Sequence, residues 1–189
     1  MTYIEEYYEW IKQNPNKVGK KVKAIYEKLV KEIHEEKKVS FFNVSTGEQE
    51  THTYRFDITK AHNPINFIER LCRQSKGQWN GKPLKLLLFQ KAMLEAAFGF
   101  VDERGLRKYK KIIFFVARKN GKSVLDSGIA NFMLTRDGEG GAEIYSIATK
   151  KDQSKIVWEE AKKMIRKSPE LAKKIRCLVG GIYYDNNDS

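Results

Sequence analysis

Lys111-Ile-Ile-Phe-Phe-Val-Ala-Arg-Lys-Asn-Gly-Lys-Ser123 is the stretch whose reading decides the fold. Lys111–Val116 is a short, nearly uninterrupted apolar run, of the kind a strand buried on both faces needs. Lys122–Thr135 reads as a helix. The join between them, Val116 to Ser123, ends in Gly-Lys-Ser, which at a strand–helix junction closes a phosphate-binding loop. Such a loop wraps its anion so tightly that backbone N–H groups point inward, and Gly121 permits that approach. The helix beginning near Lys122 offers unpaired N–H groups and the positive end of its dipole. Lys122 then reaches the β- and γ-phosphates as a point charge, and the Ser123 hydroxyl holds Mg²⁺. The usual first glycine is missing, because Val116 stands five residues before Gly121. A strand–helix turn without a ligand is the alternative reading.

Working outward, the pattern downstream is strand and helix in alternation. Asp137–Gly141 is a loop, Glu143–Ala148 a second strand, and Thr149 caps a helix over Lys150–Lys167 with Asp152 in its first turn. Ser168-Pro169-Glu170 starts a short helix, and Gly180-Gly181 turns into Ile182-Tyr183-Tyr184. Strand–helix–strand–helix at this spacing predicts a parallel sheet with right-handed crossovers from about residue 84 onward. Upstream, Tyr3–Lys12 and Val18–Lys37 read as amphipathic helices. Val39–Val44 and Thr51–Asp57 flank Ser45-Thr46-Gly47-Glu48 as a hairpin. Asn63-Pro64 opens a helix over Ile65–Arg73, Gln74–Pro83 is a loop, and Leu86–Phe98 is helical. Trp79 and Trp158 read as packing residues. The domain organisation expected is a helical and hairpin subdomain over 1–60, followed by an α/β domain over 61–189.

Apolar residues make up 41% of the 189 and charged residues 32%, which suits a globular chain with a core. A membrane-spanning helix needs about 20 apolar residues, and no run approaches that. The amino-terminal residues lack the pattern of a signal peptide, and Cys72 and Cys177 make no disulfide framework. A cytoplasmic protein is expected. The charge is more telling. Residues 1–60 hold 11 basic and 10 acidic residues, whereas 61–189 hold 25 and 14. A basic excess confined to one segment points to a polyanionic partner, nucleic acid or nucleotide phosphates. Arg118 and Lys119 lie inside the loop itself. A guanidinium there can turn toward the γ-phosphate and stabilise charge that develops during phosphoryl transfer; pairing with a neighbouring carboxylate is the other possibility.

The loop Ala117-Arg118-Lys119-Asn120-Gly121-Lys122-Ser123 resembles the deviant Walker A motif of tailed-phage terminase large subunits, the DNA-packaging ATPases. Phe67-Ile68-Glu69-Arg70-Leu71-Cys72, Lys76-Gly77-Gln78-Trp79 and Leu86-Leu87-Leu88-Phe89-Gln90 are similar to the segment preceding that loop in the family. Glu143-Ile144-Tyr145-Ser146-Ile147-Ala148-Thr149, with Gln153 after it, resembles the family's strand and helix downstream of the loop. The likeness covers roughly residues 60–185, and residues 1–55 match only loosely. It implies an additional-strand P-loop NTPase fold, with a mostly parallel sheet flanked by helices. It also implies ATP and Mg²⁺ as cofactors, and Gln90 as the adenine-contacting glutamine. The nucleotide-binding set is then Gln90, Arg118, Lys119, Asn120, Gly121, Lys122 and Ser123. Lys122 and Arg118 are the catalytic candidates and Ser123 is the metal ligand.

The same resemblance implies double-stranded DNA, a portal protein and the small terminase subunit as partners, no membrane, and the cytoplasm of a bacterial host. Another P-loop helicase or translocase, or a non-catalytic basic nucleic-acid-binding module, is the rival reading. No Asp-Glu pair follows an apolar strand downstream of the loop. Ile182-Tyr183-Tyr184-Asp185 is the nearest approach to a Walker B strand, and Phe98–Glu103 comes before the loop, in the wrong order. There is no room for the family's nuclease domain. The chain therefore reads as the N-terminal part of a terminase large subunit, from a phage or prophage, expected to bind Mg-ATP weakly and hydrolyse it slowly or not at all.

Overall fold

The computed structural model describes residues 1–184. In chain order these form α1 (Tyr3–Gln13), α2 (Lys20–Ile33), β1 (Lys37–Asn43), β2 (Glu48–Phe56), α3 (Ile58–Leu71), α4 (Leu88–Gly99), β3 (Phe100–Val101), α5 (Lys122–Thr135), α6 (Lys151–Lys167), α7 (Pro169–Ala172), β4 (Ile175–Cys177) and β5 (Ile182–Tyr184). The chain divides into two compact units. One joins Met1–Ile65 to Leu86–Ile113; the other joins Asn66–Lys85 to the residues from Phe114 onward.

The first unit is built on α1. Its start is a capping box: the Thr2 hydroxyl accepts from the Glu5 amide at 3.2 Å and the Glu5 carboxylate accepts from the Thr2 amide at 2.7 Å. Ile4 and Ile11 lie on one helical face and pack with Tyr26 and Leu29 of α2, Ala92 of α4, and Phe100. Strands β1 and β2 form an antiparallel hairpin from Lys37↔Tyr54 to Asn43↔Glu48. Gly47 at its turn has φ 73°, the left-handed region glycine enters freely. β3 continues the sheet along β2 through Arg55↔Val101 and Phe56↔Phe100. Two buried carboxylates tie the pieces together. Glu95 of α4, fully enclosed, accepts from the Ile4 amide at 2.8 Å and meets His62 Nε2 at 2.8 Å. Glu32 of α2 accepts from Lys108 Nζ at 2.7 Å, Lys37 Nζ at 2.9 Å and the Tyr109 hydroxyl at 2.9 Å.

The second unit packs α5 against α6. Leu125 and Phe132 from α5 and Ala161, Met164 and Ile165 from α6 are all buried. A Cβ at Gly128 would stand 3.1 Å from Ile68 Cγ1, so the missing side chain lets α3 approach α5. Ser168 caps α7 by accepting from the Leu171 amide, with Pro169 at the first position. β4 and β5 pair antiparallel from Ile175↔Tyr184 to Cys177↔Ile182.

Four expectations need correction. Among the described residues every strand pairing is antiparallel, and no parallel ladder is present among them. Residues 111–117 and 142–148 are in no strand, and Ile113 is 95%, Phe115 99% and Ile147 90% exposed. A continuous apolar run records the demand for neighbours on both edges and both faces, and it supplies none of them. Pro64 sits inside α3, not at its start. The cap is Asp57, whose carboxylate accepts from the amides of Thr59 at 2.9 Å and Lys60 at 3.0 Å. Likewise Lys150, not Thr149, occupies the cap of α6. Trp79 is 55% exposed rather than packed, with Lys82 Nζ 4.9 Å over its ring. Asp185 lies outside the described residues.

Candidate nucleotide-binding site

Arg118 to Ser123 come together in the second unit as the turn and first residues of α5. Gly121 occupies the cap position with φ 73° and ψ 14°, and no side chain caps the helix. Left-handed Gly121 followed by helical Lys122 is the dihedral pair of a backbone nest, in which successive N–H groups converge on an anion. The first-turn amides of α5 have no intrahelical partners and carry the positive dipole end. Lys119 also holds a positive φ, 68°, a conformation costing a side-chain-bearing residue about 1–2 kcal/mol. Asn120 braces the turn from within, its Nδ2 donating to the Ala117 carbonyl at 3.1 Å and to the Arg118 carbonyl at 3.4 Å. The strain is therefore held locally, within the turn that Asn120 braces.

Arg118, Lys119 and Lys122 are exposed and Ser123 is half-buried. Among the described residues none of these cations is within ion-pairing distance of a carboxylate, so the pairing envisaged for Arg118 is not made. Two residues that the motif reading missed support the loop from inside α5. Asp126, one turn after Lys122, is partly buried; burial pushes its carboxyl up, while the charge of Lys122 draws it down. The Ser127 hydroxyl lies 2.7 Å from the Ser123 carbonyl and 2.8 Å from the Val157 carbonyl of α6. Its single proton serves one of them at a time, holding the first turn of α5 against its neighbour. Both residues stand at i+4 from a motif residue, and that helical spacing was the signal available for finding them.

Gln90 belongs to α4 in the first unit and is 5% exposed. Its Oε1 accepts from the Leu87 amide at 2.9 Å, so its carbonyl caps the helix.

The comparisons with known proteins fall on this same stretch. Residues 88–179 match the family described as terminase large subunit, ATPase domain. The terminase large subunit of Enterobacteria phage HK97 is 30% identical over 125 residues, 66% of this chain and 24% of that protein. The crystal structure of the HK97 bacteriophage large terminase superposes with a TM-score of 0.56 at 29% identity, covering 66% of this chain and 25% of the other. By these likenesses the chain resembles the ATPase region of terminase large subunits. The chain spans about a quarter of the length of the terminases it matches. The terminase ATPase stretch begins at α4 and runs through the loop and α5–α6 to the turn after β4. The described residues are mixed α/β in content, and the structure they match is that of a large terminase, of the P-loop ATPase fold family.

The residues fit a nucleotide with its Mg²⁺. An uncapped helix start behind a left-handed glycine suits a phosphate, and the Ser123 hydroxyl is an oxygen donor at the helix's second position. Among the described residues no cluster of three His, Cys, Asp or Glu could hold a metal by itself. Mg²⁺ commonly relies on one or two protein ligands plus substrate phosphates and water. Among the described residues no helix is long and apolar enough to cross a membrane.

Proposed function

We propose that this chain is the ATP-binding portion of a terminase large subunit, whose ATP hydrolysis drives double-stranded viral DNA into procapsids in the host cytoplasm. The observation that carries the reading is the loop: left-handed Gly121, an uncapped helix start and unpaired Lys122 side by side, within the stretch that matches the family. In this reading Gly121 and the amides of Lys119 and Asn120 cradle the phosphates. Lys122 neutralises charge on the β- and γ-phosphates, and Arg118 turns toward the γ-phosphate and stabilises the charge that develops there. Mg²⁺ bound at Ser123 would neutralise phosphate charge. Gln90 reads adenine, by its resemblance to the family's glutamine. Residues 111–116 and 143–148 become strands of the mostly parallel sheet when neighbours are supplied. Double-stranded DNA, the portal protein and the small terminase subunit are the partners.

The test of placement is a nitrogen-15 amide titration with Mg-ATP. Shifts concentrated at Lys119–Val124, with α7 and β4 unmoved, are expected. Shifts scattered over the lysine-rich surface, with none at the loop, would count against a phosphate cradle.

A further inference from the structure

Half of the chain's net charge sits in one short stretch. Residues 150–176 hold 10 basic and 4 acidic residues, a net of +6 in a chain whose total is +12. The arrangement on α6 is directional. Val157, Ala161, Met164 and Ile165 form the stripe that faces α5. Lys151, Lys155, Lys162 and Arg166 recur at i, i+4, i+11 and i+15 on one flank beside it, with Glu159 the single acid in the row. Lys162 serves the fold: its Nζ donates to the Leu178 carbonyl at 3.0 Å and lies 3.9 Å from the Trp158 ring centroid, fastening the β4–β5 turn to the helix. Lys151, Lys155 and Arg166 are exposed, and so are Lys173 and Lys174 between α7 and β4. Among the described residues none of these five pairs with a carboxylate. The acids nearby are otherwise occupied or isolated, Glu160 being buried and bonded to Ser75. Evolution toward solubility alone does not call for like charges in a row, since they repel one another by a few tenths of a kcal/mol per pair.

We propose that this flank of α6, continued by Lys173 and Lys174, is the surface on which the second unit contacts the phosphate backbone of double-stranded DNA. From Lys151 to Arg166 the flank is about 22 Å long at the helical rise of about 1.5 Å. A duplex presents about six phosphates per strand over that length, so the cations and anions are commensurate. Contact of this kind is independent of sequence and releases counterions. The proposal rests on the DNA-packaging reading for its partner, but not on the nucleotide site.

The test is fluorescence anisotropy with a labelled 30-base-pair duplex, without nucleotide, over a series of salt concentrations. The fourfold variant Lys155→Gln, Arg166→Gln, Lys173→Gln, Lys174→Gln should bind at least tenfold more weakly, with its salt slope reduced by about 3.6. A control variant on the first unit, Lys20→Gln, Lys21→Gln, Lys23→Gln, should stay within twofold of the wild-type chain. Its three side chains are also exposed, so it separates local contact from net charge. Circular dichroism melting of both variants shows whether they remain folded. Equal losses in the two variants, no loss in the fourfold one, or binding to phosphatidylserine vesicles without binding to duplex overturns the proposal. Loss of Mg-ATP binding in Lys122→Ala is a separate result, so failure of this surface and failure of the nucleotide site are told apart.

Discussion

Glu32→Gln is the substitution that most directly tests how the first unit is held together. Burial alone would raise this carboxyl, yet hydrogen bonds from Lys108, Lys37 and Tyr109 bring it down to about 2 from an ordinary 4.5. That difference corresponds to about 3 kcal/mol if it is taken whole, at about 1.4 kcal/mol per pH unit. Lys28, whose Nζ is 3.8 Å from Glu32, and Lys37 are 61% and 47% exposed, while Lys108 is 11% exposed. Solvent therefore screens two of the three cations, and about 1–2 kcal/mol is the expected contribution. The sign follows from linkage. A carboxyl whose folded value is depressed contributes its full stabilisation above about 4.5, and loses it as pH falls toward about 2. Glu32→Gln should therefore lower the stability of α2 by about 1–2 kcal/mol at pH 7, and the gap between variant and wild type should close as pH falls toward 2. Hydrogen exchange of the α2 amides, corrected for intrinsic rates, reads this locally. A gap that is the same at pH 7 and pH 3, or below about 0.3 kcal/mol at pH 7, would refute the reasoning.

The other expectations concern packing and exposure. A Cβ at Gly99 would stand 2.5 Å from the Phe56 ring and 2.8 Å from Ala61 Cβ; Gly99→Ala should cost about 1–3 kcal/mol, read by urea unfolding, and a neutral result would mean that β2 and α3 yield freely. Ile113→Ser and Phe115→Ser should each change the stability of this chain by less than about 0.5 kcal/mol, because both side chains are in water. A loss of about 2–4 kcal/mol in either would show that the run is buried in a sheet in solution.

Several helices are legible in the sequence because they state their own ends. α5 runs from the residue after a left-handed glycine to Thr135, with Leu125, Phe132 and their neighbours fixing the buried face. α7 announces itself through Ser168 and Pro169. The start of α3 is not legible in the same way. Asn63-Pro64 is a strong local signal, whereas Asp57 caps through a carboxylate whose role depends on where β2 ends. The Lys111–Val116 run misleads for a different reason. Helical hydrogen bonds close within the segment, while a strand's partners are elsewhere, and no property of Ile112 or Phe115 encodes which segment completes the ladder. In the candidate site, the turn before α5 is legible because its left-handed cap position favours the glycine found there. Asp126 and Ser127 are not, since one acts through a field and the other through a carbonyl on α6.

The measurement closest to the central claim is calorimetric titration of Mg-ATP into this chain and into Lys122→Ala. Saturable binding to the wild-type chain at one site, lost in the variant while its circular dichroism is unchanged, is the expected result. Equal affinity in both, with both folded, would contradict the assignment of Lys122 and with it the nucleotide site.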